Sequence, residues 1–104
     1  MNRGDVRHYT FKQPDKRRPV LILTRDSILP KLETVTIAPL TRTIRGVPSE
    51  VVLTEIDGMP HSCAINLHNL QTVQKSKVGA LVTHLSSGRM NQVKAALFFA
   101  LGFN

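Results

Sequence analysis

The sequence predicts a mainly β protein. Its short strands form a small, strongly curved antiparallel sheet, a partly open barrel of the SH3-like or OB-like kind, closed by one C-terminal helix. Three observations predict it. The first two-thirds of the chain is a series of short β-rich runs separated by turn residues. Only the last segment has helical spacing with its own start and stop residues. The length of 104 residues and the hydrophobic share of 41% suit a single domain over 1–104 with a real core.

Asp5–Phe11 opens the chain as a strand, with Val6 and the Tyr9/Phe11 pair as its apolar side. Pro14-Asp15-Lys16-Arg17 reads as a charged turn. Pro19–Thr24 is a continuous, short, β-branched run, the pattern of a strand buried on both faces. Asp26–Lys31 holds Pro30 and reads as a loop. Thr34–Leu40 alternates at period two, and Pro39 marks its edge or end. A polar connection over Arg42–Pro48 leads to a strand at Glu50–Glu55 and a turn at Asp57-Gly58. Ser62–Leu67 and Leu70–Val73 are one bent strand or two short ones, for five or six strands in all. Ser86 or Ser87 caps a helix whose stripe is Met90, Val93, Leu97 and Leu101, and Gly102 stops it. Ala95, Ala96, Phe98, Phe99 and Ala100 make that helix apolar around much of its circumference. The sheet should cover one side of it and a second copy of the chain another.

Charge and composition narrow the function. The formal net charge is +7, and it is lopsided: residues 1–45 hold ten Lys/Arg against four Asp/Glu, residues 46–104 four against three. A field that uneven suits a polyanionic partner, nucleic acid or an acidic protein; a surface made basic for solubility is the plainer alternative. No stretch approaches the ~20 apolar residues of a membrane span, and the N-terminal residues lack an apolar signal core. The one cysteine, Cys63, lies in an apolar run, so it reads as a small buried hydrophobe in a protein of the reducing cytoplasm. His8, His61, His68 and His84 show no metal-ligand spacing, and there is no phosphate-cradling glycine motif, so no metal or nucleotide cofactor is expected.

Three segments can carry chemistry. In Arg17-Arg18-Pro19 two guanidiniums lead into the buried strand, and a guanidinium at a rigid strand end is a planar, permanently charged phosphate ligand. Pro39–Arg45 follows a strand and combines the hydroxyls of Thr41 and Thr43 with Arg42 and Arg45. In Asn66–Gln71, period two places Asn66 and His68 on one face, and Asn and Gln amides read base edges of unpaired RNA. Each segment alone is also compatible with a solvated, merely basic surface.

Taken together, the segments resemble the MazF/PemK family of toxin endoribonucleases. The resemblance covers nearly the whole chain. It rests on Arg3–Val6, Arg17–Thr24, Val35–Thr41, Thr43–Val51, Asn66-Leu67 with Gln71–Val73, and a closing Leu85-Ser86 with Met90, Val93, Ala96-Leu97 and Leu101-Gly102. It implies the CcdB/MazF-like form of the barrel, a homodimer, and an acidic antitoxin as partner. It also implies metal-independent, sequence-specific cutting of single-stranded RNA, in which the ribose 2′-OH attacks its own phosphate. The family's catalytic arginine falls on Arg18 and its threonine or serine on Thr41. Lys16, Arg17, Arg42, Arg45, Asn66 and Gln71 would contact RNA.

The chain departs from the commonest family pattern in three places. Lys12–Arg17 is short where many members have a longer glycine-containing loop. His68 stands where an acid is common, which adds a possible proton donor or acceptor beside Arg18 and Thr41. Arg42 stands where a small hydroxyl residue is frequent. Two other functions fit the same residues: a module that binds RNA without cutting it, and a CcdB-like poison of a protein target such as gyrase.

Overall fold

The computed structural model describes residues 1–12 and 16–103; Gln13, Pro14 and Asp15, the middle of the expected charged turn and short loop, lie outside the described residues. Along the described residues run β1 (Asp5–Phe11), β2 (Lys16–Ile22), β3 (Thr34–Thr41), β4 (Glu50–Leu53), β5 (Cys63–Asn66), β6 (Gln71–Gln74), β7 (Leu81–His84) and α1 (Ser87–Leu101). The strands pair antiparallel in the order β4-β5-β3-β2-β1-β7, and β6 pairs with β3. This is the expected curled antiparallel sheet with one C-terminal helix.

β2 explains why the sheet has two cores. Val20, Leu21 and Ile22 are all fully buried. Side chains alternate along a strand, so Leu21 joins one apolar cluster while Val20 and Ile22 join the other. The first cluster includes Val6, Leu40, Leu53, Ile65, Leu67 and the helix residues Val93 and Ala96. The second, under Tyr9 and Phe11, holds Leu29, Val35, Ile37 and Val73. Each such side chain removed from water contributes about 1.5–3 kcal/mol. β2 begins earlier than the apolar run, because Lys16, Arg17 and Arg18 extend the ladder opposite Phe11, Thr10 and Tyr9.

Pro39 corrects one expectation. It lies inside β3, opposite Val20, and not at a strand end or a sheet edge. The N–H of Leu23 bonds Thr36 O (2.9 Å) and Thr24 Oγ1 accepts from Thr36 N (2.8 Å), so even-numbered β3 residues bond toward the β2 side. Odd-numbered ones face the other edge. That edge is shared: β6 pairs with Thr34–Ile37 and β5 with Leu40 and Thr41. The missing donor of Pro39 falls in the gap between them, where no ladder bond is due. β5 and β6 are thus two strands in one line, with Leu67–Leu70 looped out between them.

Three other differences are local. Leu29–Lys31 is a short 3₁₀ turn, since Pro30 is tolerated at a helix start. The strand expected over Glu50–Glu55 ends at Leu53, and Thr54 caps a second such turn. β7 adds an unforeseen seventh strand, paired to β1 through Thr83 and His84.

The helix begins and ends as read: Ser86 Oγ accepts from Arg89 N at 3.2 Å, and Gly102 takes a left-handed φ of 77°. Its inner stripe is corrected. Val93 and Ala96 are buried, Met90 and Leu97 are half-buried, and Leu101 is 52% exposed. The small Ala96 lets the helix sit close against the first core, which turns Leu101 outward. Cys63 is buried in that same core, and burial, then the Asp57 charge, pushes its thiol pKa up.

A polar clamp ties helix to sheet. Arg89 Nε and Nη2 donate to the two Asp57 oxygens at 2.9 and 3.1 Å, and Thr54 N donates to the same carboxylate at 2.9 Å. Next to it, Gly58 has φ 92°, and a Cβ there would stand 2.5 Å from Thr83 Oγ1. The Asp57-Gly58 turn is therefore glycine's on two counts. The Arg89 guanidinium, against the opposing effect of burial, holds the Asp57 carboxyl below the usual carboxylate range. A lowered carboxyl pKa stabilises the fold above the unfolded-state value, and that stability drains away as pH falls through the folded value. Asp57→Asn is expected to lose about 1–3 kcal/mol near neutral pH in urea unfolding. The gap to wild type should narrow on acidification below the carboxylate range.

Candidate nucleic-acid interface

β3 also positions the site. Val35 and Ile37 fill the second core, and the next residues on that face are Pro39 and Thr41. On β2 the same face carries Val20 and Ile22, and then Arg18 toward the strand's start. The β2–β3 pairing runs from Ile22 and Ile37 to Val20 and Pro39 and stops there, and just past its end Arg18 and Thr41 line the same two hollows. So one sheet face turns from apolar core to polar groove within two residues of each strand.

The groove is a cavity of about 430 Å³. It takes in Lys16, Arg18, Thr41, Arg45, Asn66 and Gln71, six of the residues chosen from sequence. Phe11 and Pro39 supply apolar surface, and Thr43 and Asn69 complete the lining. A second hollow of about 410 Å³ adjoins it across Lys16, Arg18, Thr41 and Thr43, and Arg17 and Arg42 line that one instead. Arg18 and Thr41 therefore form part of both walls. No carboxylate lines either hollow among the described residues. Among the described residues the Arg–carboxylate pairs lie elsewhere, Arg7 on Asp5 and Arg89 on Asp57. Stacking surface, charge and amides in one groove are what an unpaired nucleic-acid strand requires.

The groove is preorganised by its own backbone. Thr41 Oγ1 accepts from Thr43 N at 3.2 Å, which leaves the hydroxyl proton available to a ligand. Glu50 Oε1 accepts from Arg45 N at 3.1 Å and from Gly46 N at 2.9 Å. A carboxylate thereby fixes the turn that presents Arg45, with Gly46 in the left-handed region at φ 73°.

His68 is not in the groove. β5 ends at Asn66 and a turn follows, closed by Asn69 N to Asn66 O at 3.2 Å. Period two fails there, and Asn69 arrives at the lining in place of His68. His68 Nδ1 instead pairs with the buried Ser49 Oγ at 2.7 Å, tying this turn to the end of the Arg45 loop. Asn66 itself is 9% exposed, and its Oδ1 has no hydrogen-bond partner. Sequence reasoning does not reach Phe11 or Asn69 as groove residues, although alternation along β1 from Tyr9 would have found Phe11; Thr43 belongs to the hydroxyl-and-arginine segment singled out from sequence.

Known proteins match this chain along nearly its full length. The profile of the family described as PemK-like, MazF-like toxin of type II toxin–antitoxin system matches residues 2–101. A probable endoribonuclease MazF2 of Mycobacterium tuberculosis is 33% identical over 103 residues, spanning 98% of this chain and 99% of its own. Endoribonuclease MazF3 of the same organism is 40% identical over 80 residues, 77% of this chain and 78% of its own. A mycobacterial endoribonuclease solved in complex with its cognate antitoxin superposes with a TM-score of 0.89 at 25% identity, over 100% of this chain and 97% of that one.

If Glu50 fixes the Arg45 turn, Glu50→Ala should speed amide hydrogen exchange at Arg45 and Gly46 by roughly tenfold or more. Exchange in β3 should be unchanged, and Glu50→Gln, which keeps an acceptor, should show a smaller effect.

Proposed function

The chain belongs to the PemK-like, MazF-like toxins of type II toxin–antitoxin systems, and we propose that it is an endoribonuclease that cuts single-stranded RNA between Arg18 and Thr41. One observation supports this: the two residues the family resemblance selects, far apart in sequence, lie together in the wall of one groove that Lys16 and Arg45 also line.

The reaction we assign is transesterification. The ribose 2′-oxygen attacks the neighbouring phosphorus and the bond from phosphorus to O5′ breaks. A 2′,3′-cyclic phosphate and a 5′-OH result. One proton leaves the 2′-OH and one reaches O5′. Charge accumulates on the non-bridging phosphate oxygens, and Arg18 meets it with a planar, bidentate donor. Thr41 donates its remaining proton to the same phosphate. A guanidinium stays protonated in proteins, so Arg18 contributes mainly as a fixed charge. Lys16 and Arg45 neutralise the flanking backbone, with Arg17 and Arg42 extending the positive surface into the adjoining hollow. Asn66, Asn69 and Gln71 offer amides to bases. Among the described residues the lining has cationic side chains and no carboxylate, so a divalent metal would meet only neutral oxygens in a positive field, which supports a metal-independent reaction.

Two partners follow. An acidic antitoxin segment would cover the basic groove by charge complementarity. A second copy of the chain would cover the C-terminal end of α1, where Phe99 is 50% and Leu101 52% exposed on different sides of the helix, and Phe103 just beyond it is 74% exposed.

The purified chain should cut single-stranded RNA at full rate in EDTA, giving cyclic-phosphate ends by end mapping. Arg18→Ala should lower cutting by roughly 10²–10³-fold or more. Undiminished cutting by that variant would remove Arg18 from the reaction; RNA binding with no cutting in wild type would leave a binding module. Light scattering should give the mass of a dimer for wild type, and Phe99→Glu with Leu101→Glu should shift it toward the monomer.

A further inference from the structure

Resting on the RNA-cutting reading above, we propose that Asn66 is a specificity-determining residue that selects, at a nucleotide flanking the scissile phosphate, a base carrying an exocyclic amino group. Three observations carry it. The side chain is more than nine-tenths buried and lines the groove that holds Arg18 and Thr41. Its Oδ1 has no hydrogen-bond partner. Its backbone, by contrast, is committed, with the carbonyl closing the turn to Asn69.

A buried acceptor without a donor destabilises a fold, and native structures satisfy nearly all of them. An orphan at the wall of a ligand groove is relieved when a ligand brings the donor. The amide is the last group of β5, its terminal torsion is broad, and the residue already lines the groove, so a ligand there is within reach of it. The donor it takes must project. The exocyclic amino groups of adenine, cytosine and guanine stand clear of the ring, and among the RNA bases uracil alone has none. Uracil offers only a ring N–H flanked by two carbonyl oxygens, which would face Oδ1 with like partial charge. The register sets Asn66 two strands across and about two residues along from Arg18, on the order of 10 Å between backbones. With Arg18 on the phosphate, that places Asn66 at the base of an adjoining nucleotide.

The test uses short single-stranded oligonucleotides lacking the 2′-OH, which bind but cannot be cut. Fluorescence anisotropy should show wild type binding deoxyadenosine and deoxycytidine oligomers roughly ten- to a hundredfold more tightly than deoxyuridine oligomers. Analogues without the amino group, purine and pyrimidin-2-one deoxyribosides, should fall to the uracil level. Asn66→Leu should bind all of these alike. It should also melt at the same temperature as wild type or a few degrees higher, because it removes the orphaned acceptor; a structural asparagine would melt lower on the same change. Asn66→Asp, which keeps acceptors, should retain the amino preference. The inference is overturned if wild type shows no preference among the oligomers, or if Asn66→Leu keeps it. The analogue comparison in wild type needs no variant to fold. An amino preference lost in Asn66→Leu, with no RNA cutting in wild type, would overturn the nuclease reading and leave this one standing. Cutting without an Asn66-dependent preference would do the reverse.

Discussion

The site depends on β3 being hydrogen-bonded along both of its edges. A strand held that way cannot slip, because a one-residue shift would exchange its two faces. Val35 and Ile37 would leave the second core, and Ala38 and Leu40 would leave the first or be turned over. The same lock fixes the buried Pro39 and the half-buried Thr41 on the groove face, past Ile37 of the second core. β2 shares the constraint through Val20, Leu21 and Ile22. Arg18 is thus placed by the burial of three aliphatic side chains and by the ladder with β1 that continues past them to Lys16.

Around that rigid centre, the rim is held by weaker and more local means. Glu50 bonds the backbone that carries Arg45, and the Ser49–His68 contact joins the end of that loop to the turn bearing Asn69. The groove therefore combines a wall fixed by the core with a rim fixed by side-chain hydrogen bonds to loops. Such rims exchange conformations more easily than strands do. The division suits the function proposed above, in which the wall holds a phosphate while the rim admits a flexible strand.

Much of this was legible in the sequence, for physical reasons that can be named. A continuous apolar run as short as Pro19–Leu23 can hardly be anything but a doubly buried strand. Ser86 and Gly102 announce the helix ends through capping chemistry, and Asp57-Gly58 announces its turn. What escaped depends on tertiary pairing. β7 is short, lies close to the helix start, and is stabilised by β1 rather than by its own pattern. Pro39 looked like an end because the gap between β5 and β6 that accommodates it is not written in the local sequence. His68 was placed in the groove by extending an alternation past Asn66, where the strand had already stopped. Arg18, Thr41, Asn66 and Gln71, to which residue chemistry and family resemblance both point, do come together in one groove. Thr43 and Asn69 sit on turns whose directions follow only from the bonds they make.

The burial of Cys63 has a practical meaning for anyone who studies this chain in solution. Its sulfur lies in the first core with its thiolate form disfavoured, so it offers little to an alkylating reagent or an oxidant. The native chain is in effect blank to thiol chemistry, without any cysteine having to be removed. A single cysteine placed on the exposed rim, at Thr43 for instance, would be the one reactive thiol in the molecule. A fluorophore or spin label there would report directly on what enters and leaves the groove.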